Sequence, residues 1–384
     1  MDANAARDML SFHQFLLGKT NLRLHEFQQA IARRVKPGDT VLDLGTGTGI
    51  LAFFACLAGA RRVYAIEIGP VIRLARLVAR ENGFEDRIVF LAGASYELDL
   101  PEQLDVIVTD TVDLFMPDSL RAIRDASDRW LRPGGSLIPT SVELFVAPVE
   151  ASEMYRRHID SWNGCRYGID FSMIREFAVN QCYPANISPA DLLADPASMV
   201  TLRLSDLKSV AVDGEVSATA RKAGTLHGLC LWSASELADG ITLGNCPGAT
   251  TTNYAQVFLP LAQPVAVNEG DRLDIRVRSY DSHHWRWGIE IPGSGSACTQ
   301  SAIRFDHSTF LGFPLSAEVL RKIAPDHAPR LSPRGEAEHL VLSLSNGETS
   351  VADLERRIRA RYPNLFRTKE DVTTFVAEVI TRCA

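Results

Sequence analysis

The chain has 384 residues, carries a formal net charge of −7 and is 46% hydrophobic. This length exceeds one ordinary hydrophobic core, so we expect two or three domains. The negative charge and the lack of a basic run argue against a nucleic-acid partner. Seven scattered cysteines without a Cys-x-x-Cys pair indicate reduced thiols and no bound metal. Because no apolar stretch is long enough to span a bilayer, we expect a cytoplasmic protein with no membrane partner.

The first strongly patterned stretch runs from residue 40 to residue 67. An apolar strand over Thr40–Leu44 leads into the turn Gly45-Thr-Gly-Thr-Gly49, and a helix is predicted from residue 50 to residue 58. A second apolar strand then ends at the acid Glu67. Glycine lets the backbone turn tightly and approach a ligand closely, because no Cβ stands in the way. This order of elements predicts a nucleoside site in a doubly wound α/β sheet.

The spacing of the glycines and of two acids narrows the choice of nucleoside. Gly-x-Gly-x-Gly differs from the Gly-x-Gly-x-x-Gly of dinucleotide folds, and no phosphate loop ending in Gly-Lys-Ser/Thr is present. Glu67 suits two ribose hydroxyls, and Asp43 suits an ammonium group. Together they resemble the S-adenosylmethionine site of class I methyltransferases; the alternative is a glycine-rich turn of another α/β protein. The resemblance implies that S-adenosylmethionine is held by Asp43, Gly45, Thr46, Gly47, Gly49 and Glu67.

Further matches in chain order resemble the protein arginine methyltransferase family over about residues 10–310. The helix pattern Arg23-x-x-x-Phe27-x-x-Ala-Ile precedes the turn, and Gly59-Ala-Arg-Arg-Val63 lies inside the patterned stretch. The resemblance implies that Arg23 pairs with the cofactor carboxylate. Residues 162–172 resemble the family's dimerisation arm, so a homodimer is one expectation. The residues implied to line the adenine are Ala94, Ser95 and Tyr96.

Two departures from the family pattern concern the acceptor. The arginine enzymes hold a guanidinium between paired glutamates on one loop, whereas this loop carries Asp110, Asp113 and Asp118 and is one residue shorter. A shorter acid in a shorter loop need not form the same fork against a planar cation. The family's Thr-His-Trp element is Thr252-Asn-Tyr254 here. The identity of the acceptor is therefore open.

A general base helps methyl transfer if the acceptor loses a proton. The candidates are the three aspartates of the acceptor loop together with His283 and His284, which lie in an aromatic-rich strand or hairpin. Each has a structural alternative: the aspartates can be solvated loop residues or, at Asp118, a helix cap, and the histidines can pack a β domain. The catalytic hypothesis comprises Asp110, Asp113, Asp118, His283 and His284.

The hydrophobic pattern changes twice along the chain. Residues 1–143 alternate short apolar strands with helices, as expected for the Rossmann-like cofactor domain. Residues 144–312 contain strand-like segments separated by glycine, proline and asparagine, which fits the family's β-barrel substrate domain with an arm insertion. Residues 313–384 differ again and form a third part. The predicted fold class is an α/β methyltransferase domain followed by a β-barrel and a small C-terminal module.

The C-terminal module has a resemblance of its own. A strand-like stretch at 338–344, a turn at 345–348 and helices at 351–362 and 370–382 resemble the winged-helix modules that bind leader peptides in ribosomal peptide maturation. Such modules add an extended peptide to an exposed sheet edge. The resemblance implies a leader peptide bound at residues 338–362. A dimerisation or packing module is the alternative.

The sequence thus predicts an enzyme that transfers a methyl group from S-adenosylmethionine to a nitrogen of a peptide or natural-product acceptor. A small-molecule O-methyltransferase and a true protein arginine N-methyltransferase are the alternative activities. A degenerate methyltransferase that serves as a scaffold is the non-enzymatic alternative. Intact Arg23, Asp43 and Glu67 argue against a degenerate cofactor site.

Overall fold

The computed structural model describes residues 11, 13, 14, 17, 18, 22–112, 117–207, 211–249, 255–279, 284–292, 302–314, 316–322, 324–366 and 368–383. The chain divides into two compact units, Met1–Pro314 and Leu315–Ala384. The larger unit combines a parallel sheet with a β-rich part, and the smaller unit is helical where it is described. Among the helices described, none is long and apolar enough to cross a lipid bilayer.

Five parallel strands with intervening helices form the first part of the larger unit. In chain order the elements are α1 (Leu22–Arg34), β1 (Thr40–Leu44), α2 (Ile50–Leu57), β2 (Arg62–Glu67), α3 (Ile72–Glu81), β3 (Ile88–Ala92), β4 (Leu104–Val108), α4 (Pro117–Trp130) and β5 (Leu131–Ile138). The strand order is β3-β2-β1-β4-β5, and every pairing is parallel. All five residues of β1 are buried, as expected for a central strand covered on both faces. The predicted Rossmann-like fold is confirmed.

The second part of the larger unit is built from two antiparallel sheets. Its strands are β6 (Ser141–Val149), β7 (Cys165–Arg166), β8 (Ile169–Asp170), β9 (Tyr183–Ala185), β10 (Ala197–Arg203), β11 (Val212–Thr219), β12 (Gly224–Ala238), β13 (Ile241–Gly244), β14 (Gln256–Val267), β15 (Arg272–Ser279), β16 (Trp285–Ile291) and β17 (Ile303–Ser308). One sheet has the order β10-β6-β12-β14-β9 with β13 on β12, and the other has the order β11-β15-β16-β17. Both contribute to one core that includes Leu144, Leu229, Ile275 and Trp287.

The prediction of a closed barrel is wrong for the part of the chain that is described. The two sheets share apolar faces, but no hydrogen-bonded ladder between described residues joins one sheet to the other. Alternating apolar and polar residues indicate which face of a strand is buried. The same alternation occurs in open sheets packed face to face and in closed barrels. Closure depends on pairing between distant strands, which the local pattern does not encode.

Two short helices and a hairpin lie between β6 and β9. The helices are α5 (Ser152–His158) and α6 (Ile174–Ala178), and β7 and β8 form the hairpin between them. Tyr155 of α5 is buried, and its hydroxyl donates to the main-chain oxygen of Leu261 at 3.0 Å. Arg175 of α6 donates to the same hydroxyl at 2.8 Å. These bonds fix both helices to β14, while the hairpin tip at Tyr167 is fully exposed.

The smaller unit corrects a second prediction. Its elements are α7 (Ala317–Lys322), α8 (Pro333–Leu344), α9 (Val351–Arg361) and α10 (Lys369–Cys383). The predicted strand at 338–344 is wrong, because these residues end α8. Ala337, Val341 and Leu344 recur at helical spacing and face a core that contains Phe375, and a short apolar run alone does not distinguish helix from strand. No strand occurs in the described part of this unit, so the edge proposed for a leader peptide has no counterpart there.

Candidate active site

The residues predicted to hold the cofactor come together at one edge of the parallel sheet. The glycine turn follows β1, Glu67 ends β2, residues 93–97 follow β3, and Asp110 follows β4. The carboxyl ends of parallel strands share one edge, and ligands of open α/β sheets bind there where the strand order reverses. The order reverses between β1 and β4. The fold therefore brings together side chains that lie far apart in the sequence.

The turn after β1 uses backbone conformations that favour glycine. Gly45, Gly47 and Gly49 have φ angles of 79°, 55° and 92°. A Cβ on Gly45 would lie 2.5 Å from Thr111 Cγ2, and a Cβ on Gly47 would lie 2.6 Å from His13 Cε1. Since α2 begins directly after Gly49, its first N–H groups lie at the same edge of the sheet. The turn has room for backbone and ligand but not for side chains.

Asp43 is completely buried at the end of β1 and holds the turn in place. Its Oδ2 accepts hydrogen bonds from Thr46 Oγ1 at 2.6 Å and from the main-chain N–H of Ala52 at 2.9 Å. Its Oδ1 is buried and has no hydrogen-bond partner among the described residues. Burial raises the pKa of Asp43 to about 7, and the two hydrogen bonds only partly oppose this rise. A buried carboxylate oxygen without a partner fits a ligand that carries a cation.

Glu67 is oriented by two backbone groups. Its Oε2 accepts from the N–H of Gly47 at 3.0 Å, and its Oε1 accepts from the N–H of Gly69 at 2.6 Å. His13 lies beside this carboxylate; burial lowers the pKa of His13, and the negative charge of Glu67 opposes the lowering. Because both oxygens are fixed in direction, Glu67 presents acceptors in a defined geometry to a ligand with hydroxyl groups.

Arg23 of α1 forms a buried ion pair with Asp110. Nε donates to Asp110 Oδ1 at 2.6 Å, and Nη2 donates to the main-chain oxygen of Asp110 at 2.9 Å. The side chains of Arg23 and Asp110 are 6% and 19% exposed. Burial raises the pKa of Asp110 to about 6, although the positive charge of Arg23 opposes this rise. The arginine predicted for the cofactor carboxylate therefore has a carboxylate of the protein as its partner in this structure.

Of the residues predicted to line the adenine, Ser95 and Tyr96 lie in the 3-10 turn Ser95–Glu97 after β3, and Ala94 directly precedes this turn. Ala94 and Ser95 are buried, whereas Tyr96 is 69% exposed. Ser95 Oγ, like Asp43 Oδ1, is buried without a hydrogen-bond partner among the described residues. The buried Asp43 Oδ1 and Ser95 Oγ, together with the carboxylate of Glu67, fit the hydroxyls and the ammonium of the predicted cofactor. The guanidinium of Arg23 fits its carboxylate. In the described parts of the chain, no cluster of His, Cys, Asp and Glu could hold a metal ion.

A cavity of about 250 Å³ opens beside Asp110. Phe27 of α1, Asp110 and residues of β12, β13 and β14 form its walls, and Asp110 is the one ionisable side chain among the described lining residues. Ser233 and Ser235 occupy alternate positions on β12 and line the cavity. Gln256 is already engaged, because its Oε1 accepts from the N–H of Ile187 at 2.6 Å. The cavity thus combines one carboxylate with serine and threonine hydroxyls, two side-chain amides and apolar residues.

The structure describes the four other catalytic candidates only in part. Asp113 and His283 lie outside the described residues, as does the Thr252-Asn-Tyr254 element. Asp118 belongs to α4, but its side chain is outside the described part. His284 stacks on Phe310 with ring centroids 3.9 Å apart and is not among the described residues that line the cavity beside Asp110. Of the five candidates, the structure places Asp110 at both the cofactor edge and the cavity.

Several residues of the site were missed from the sequence. His13 lies so close to Gly47 that a Cβ there would be 2.6 Å from its Cε1, and no sequence motif marks it. Thr109 Oγ1 donates to the main-chain oxygen of Leu44 at 2.8 Å and ties the ends of β4 and β1 together. Ser233 and Ser235 interrupt the apolar run of β12 on its cavity face. That interruption was the available signal, because residues at alternate positions of a strand lie on the same face of the sheet.

Comparison with known sequences gives two adjoining family matches. Residues 20–141 match the ribosomal protein L11 methyltransferase family (PrmA), and residues 140–290 match the arginine methyltransferase oligomerization subdomain. Protein arginine N-methyltransferase 6 of Xenopus laevis is 32% identical over 276 residues, covering 68% of this chain and 81% of that protein. The arginine N(omega)-methyltransferase of Streptomyces achromogenes subsp. streptozoticus is 30% identical over 284 residues, covering 71% of this chain and 77% of that protein.

Solved structures show the same fold. The Trypanosoma brucei PRMT1 enzyme-prozyme complex with AdoHcy superposes with a TM-score of 0.68 at 23% identity, covering 74% of this chain and 94% of that chain. Arabidopsis thaliana protein arginine methyltransferase 10 superposes with a TM-score of 0.66 at 20% identity, covering 80% of this chain and 98% of that chain. At these identities the structural likeness concerns the fold alone.

Proposed function

The chain belongs to the protein arginine methyltransferase family and is an S-adenosylmethionine-dependent methyltransferase, and we propose that its acceptor is a nitrogen of a peptide or natural product. One observation carries the proposal: Asp110 adjoins the cofactor residues and is also the one ionisable group among the described residues that line the neighbouring cavity. A carboxylate in such a site attracts a protonated or hydrogen-bonding nitrogen. A neutral hydroxyl gains less from it, which favours nitrogen over oxygen.

Each of the cofactor-binding residues is assigned to one chemical group of S-adenosylmethionine. Glu67 would accept hydrogen bonds from the ribose hydroxyls, and Asp43 Oδ1, which has no partner among the described residues, would accept from the ammonium. Arg23 would bind the carboxylate. Ala94 and Ser95 would adjoin the adenine, and the buried Ser95 Oγ would be available to hydrogen-bond with it. When bound, the cofactor supplies a methyl group on a positively charged sulfur, which needs no further activation.

The protein then has to orient the acceptor and manage one proton. Asp110 holds the acceptor nitrogen by a charge-assisted hydrogen bond and directs its lone pair toward the cofactor. A protonated acceptor nitrogen must lose one proton before its lone pair can attack, and the carboxylate of Asp110 accepts that proton. With Arg23 as its partner in this structure, Asp110 has a pKa of about 6, which leaves it mostly ionised at neutral pH.

The acceptor class follows from the size and polarity of the cavity. A volume of about 250 Å³ suits the end of one side chain or a small molecule. Ser233 and Ser235 offer hydroxyls to polar groups of the acceptor beyond its nitrogen. Since the name of the Streptomyces relative assigns it arginine as substrate, a guanidino nitrogen is the second candidate. Arginine-rich protein tails are expected to be poor acceptors, because aspartates replace the family's paired glutamates.

The test uses S-adenosylmethionine with a deuterated methyl group. The enzyme is incubated with free L-arginine, an arginine-rich histone-tail peptide and an extract of the source cells, and mass spectrometry locates the label. We expect a labelled nitrogen in a small or peptide product, and no product with Asp110→Asn. The Asp239→Asn variant, which changes an exposed acid of a surface ion pair, is the control and should keep activity. Label on oxygen, or efficient labelling of the histone tail, would contradict the proposal.

We also propose that the chain forms a homodimer through the arm. Residues 140–290 match a subdomain described as an oligomerization subdomain. The arm exposes Tyr167 and Ile169 of its hairpin and Met173 directly before α6, which are 100%, 58% and 75% exposed. Large apolar side chains that are exposed in one short segment are typical of a contact surface. Light scattering should give a dimer for the wild type and a monomer for Ile169→Asp/Met173→Asp. A wild-type monomer would refute this part of the proposal.

A further inference from the structure

We propose that Arg23 exchanges partners between Asp110 and the carboxylate of the cofactor, so that cofactor binding releases the Asp110 carboxylate for the acceptor. The inference rests on the proposed role of the cavity beside Asp110. It makes Arg23 a positioning residue for the reaction in addition to a ligand of the cofactor. It also predicts that the cofactor and the acceptor favour each other's binding.

The geometry of the ion pair between Arg23 and Asp110 is the first observation that supports the exchange. A guanidinium binds a carboxylate best through two parallel N–H groups on one edge. In this structure the edge formed by Nε and Nη2 of Arg23 is directed at Asp110, with contacts of 2.6 Å to Oδ1 and 2.9 Å to the main-chain oxygen. Both side chains are largely buried. The protein therefore holds the arginine on its own carboxylate, with little access for water to replace either partner.

The carboxylates of Asp110 and of the cofactor compete for the Nε and Nη2 edge of Arg23. The cofactor carboxylate and the Asp110 carboxylate have the same chemistry, so a cofactor carboxylate that takes the Nε and Nη2 edge displaces Asp110. Asp110 then loses its ion pair with Arg23 while its side chain stays largely buried, which is costly. An acceptor nitrogen that carries a positive charge removes this cost. Because binding free energies are linked, the acceptor stabilises the bound cofactor by the same factor.

The test compares two ligands in binding calorimetry. S-adenosylhomocysteine carries the carboxylate, whereas 5′-methylthioadenosine has the same adenosine and sulfur but no amino-acid group. Asp110→Asn removes the competing carboxylate and should tighten S-adenosylhomocysteine binding by about fivefold or more, within the usual range of coupling between sites. Arg23→Gln should weaken it by about tenfold or more, the loss expected for charged hydrogen bonds. Neither change should move the affinity for 5′-methylthioadenosine by more than about twofold.

Two further variants keep the test decisive. The double variant Arg23→Gln/Asp110→Asn leaves no unpaired charge and should bind S-adenosylhomocysteine like Arg23→Gln alone, because removing a competitor has no effect when the arginine is absent. Asp239→Asn breaks the pair that Arg34 makes at 2.8 Å from the same helix and is the matched control. It should leave both affinities unchanged. Retained binding of 5′-methylthioadenosine shows that each variant is folded.

The outcomes distinguish a partner exchange by Arg23 from a role in which Asp110 only holds Arg23 in place. If Asp110→Asn weakens S-adenosylhomocysteine binding as Arg23→Gln does, Asp110 merely holds the arginine in place and the inference is overturned. An unchanged affinity in Asp110→Asn also overturns it, since the pair then does not compete with the ligand. These measurements involve no acceptor, so they stand apart from the labelling experiment: a wrong acceptor class leaves the binding result unaffected.

Discussion

Glu67 and Gly47 are joined by a hydrogen bond of 3.0 Å that ties the end of one strand to the glycine turn of its neighbour. The carboxylate also accepts from Gly69, so both of its oxygens have fixed directions before any ligand binds. A preset acceptor pair loses less conformational freedom on binding than a mobile one. The acid at the tip of β2 is thus part of the turn and part of the ligand site.

The first prediction concerns this acid. Glu67→Gln offers one acceptor and one donor in place of two acceptors, so one backbone N–H and one ribose hydroxyl lose their partners. We expect binding of S-adenosylhomocysteine to weaken by roughly 1.5–3 kcal/mol in calorimetry. Since 5′-methylthioadenosine keeps the ribose, its affinity should fall equally. A loss confined to S-adenosylhomocysteine would mean that Glu67 does not bind the ribose.

The second prediction concerns turnover at Asp110. Replacing its carboxylate by an amide in Asp110→Asn should lower kcat at least about 100-fold with the acceptor found by isotope labelling, the usual contribution of a positioned base. Asp110→Glu retains the carboxylate and should keep more activity than Asp110→Asn. Equal activity of the two variants would assign the proton to another group, such as His284.

The third prediction concerns pH and Asp43. Its pKa of about 7 in the folded protein lies above the ordinary aspartate value, so the folded state binds a proton that the unfolded chain has lost. The stability that this bound proton adds to the folded state is fully present below about pH 4 and is lost as the pH rises through 7. Asp43→Asn removes it. The free energy of unfolding in urea should therefore shift in favour of the variant between pH 5 and pH 8, by roughly 1–3 kcal/mol.

A difference in the free energy of unfolding between Asp43→Asn and wild type that stays constant across that pH range would show that the carboxyl of Asp43 ionises normally in the folded protein. Asp239→Asn serves as the reference here as well. Its acid is 85% exposed, so the variant should show no such trend.

The fourth prediction concerns the acceptor cavity. Ser233→Phe places a large side chain on the cavity face of β12 and should abolish acceptor turnover, while S-adenosylhomocysteine binds within about twofold of wild type. Thr242→Phe adds the same side chain at an exposed position of β13 that lines no part of this cavity, and it should keep turnover. Unchanged turnover in Ser233→Phe would place the acceptor elsewhere.

The fifth prediction concerns the smaller unit. Phe375 is 2% exposed and packs against Phe366 with ring centroids 4.7 Å apart. Phe375→Ala should destabilise this unit by about 3–5 kcal/mol and raise amide hydrogen exchange across α8, α9 and α10. The neighbouring Thr374→Ala changes an exposed residue and should not. Loss of S-adenosylhomocysteine binding in Phe375→Ala would show that the two units are not independent.

The sequence alone determined features whose physical cause is local. The strand Thr40–Leu44 was predicted with its observed bounds, because a continuous apolar run between turn residues is typical of a buried parallel strand. The three glycines were recognised from their spacing after an apolar strand, and their observed φ angles are ones that other residues rarely adopt. A backbone requirement of this kind is visible in the residue type itself, and so the class of cofactor followed from a short motif.

The tertiary structure decided features that depend on distant contacts. Arg23 and Asp110 are 87 positions apart, and only the strand order brings them to one edge of the sheet. Whether the β-rich strands close into a barrel, and whether residues 338–344 form a strand or the end of α8, also depends on partners elsewhere in the chain. Local pattern sets which face of an element is apolar, but the free energy of pairing and packing decides what covers that face.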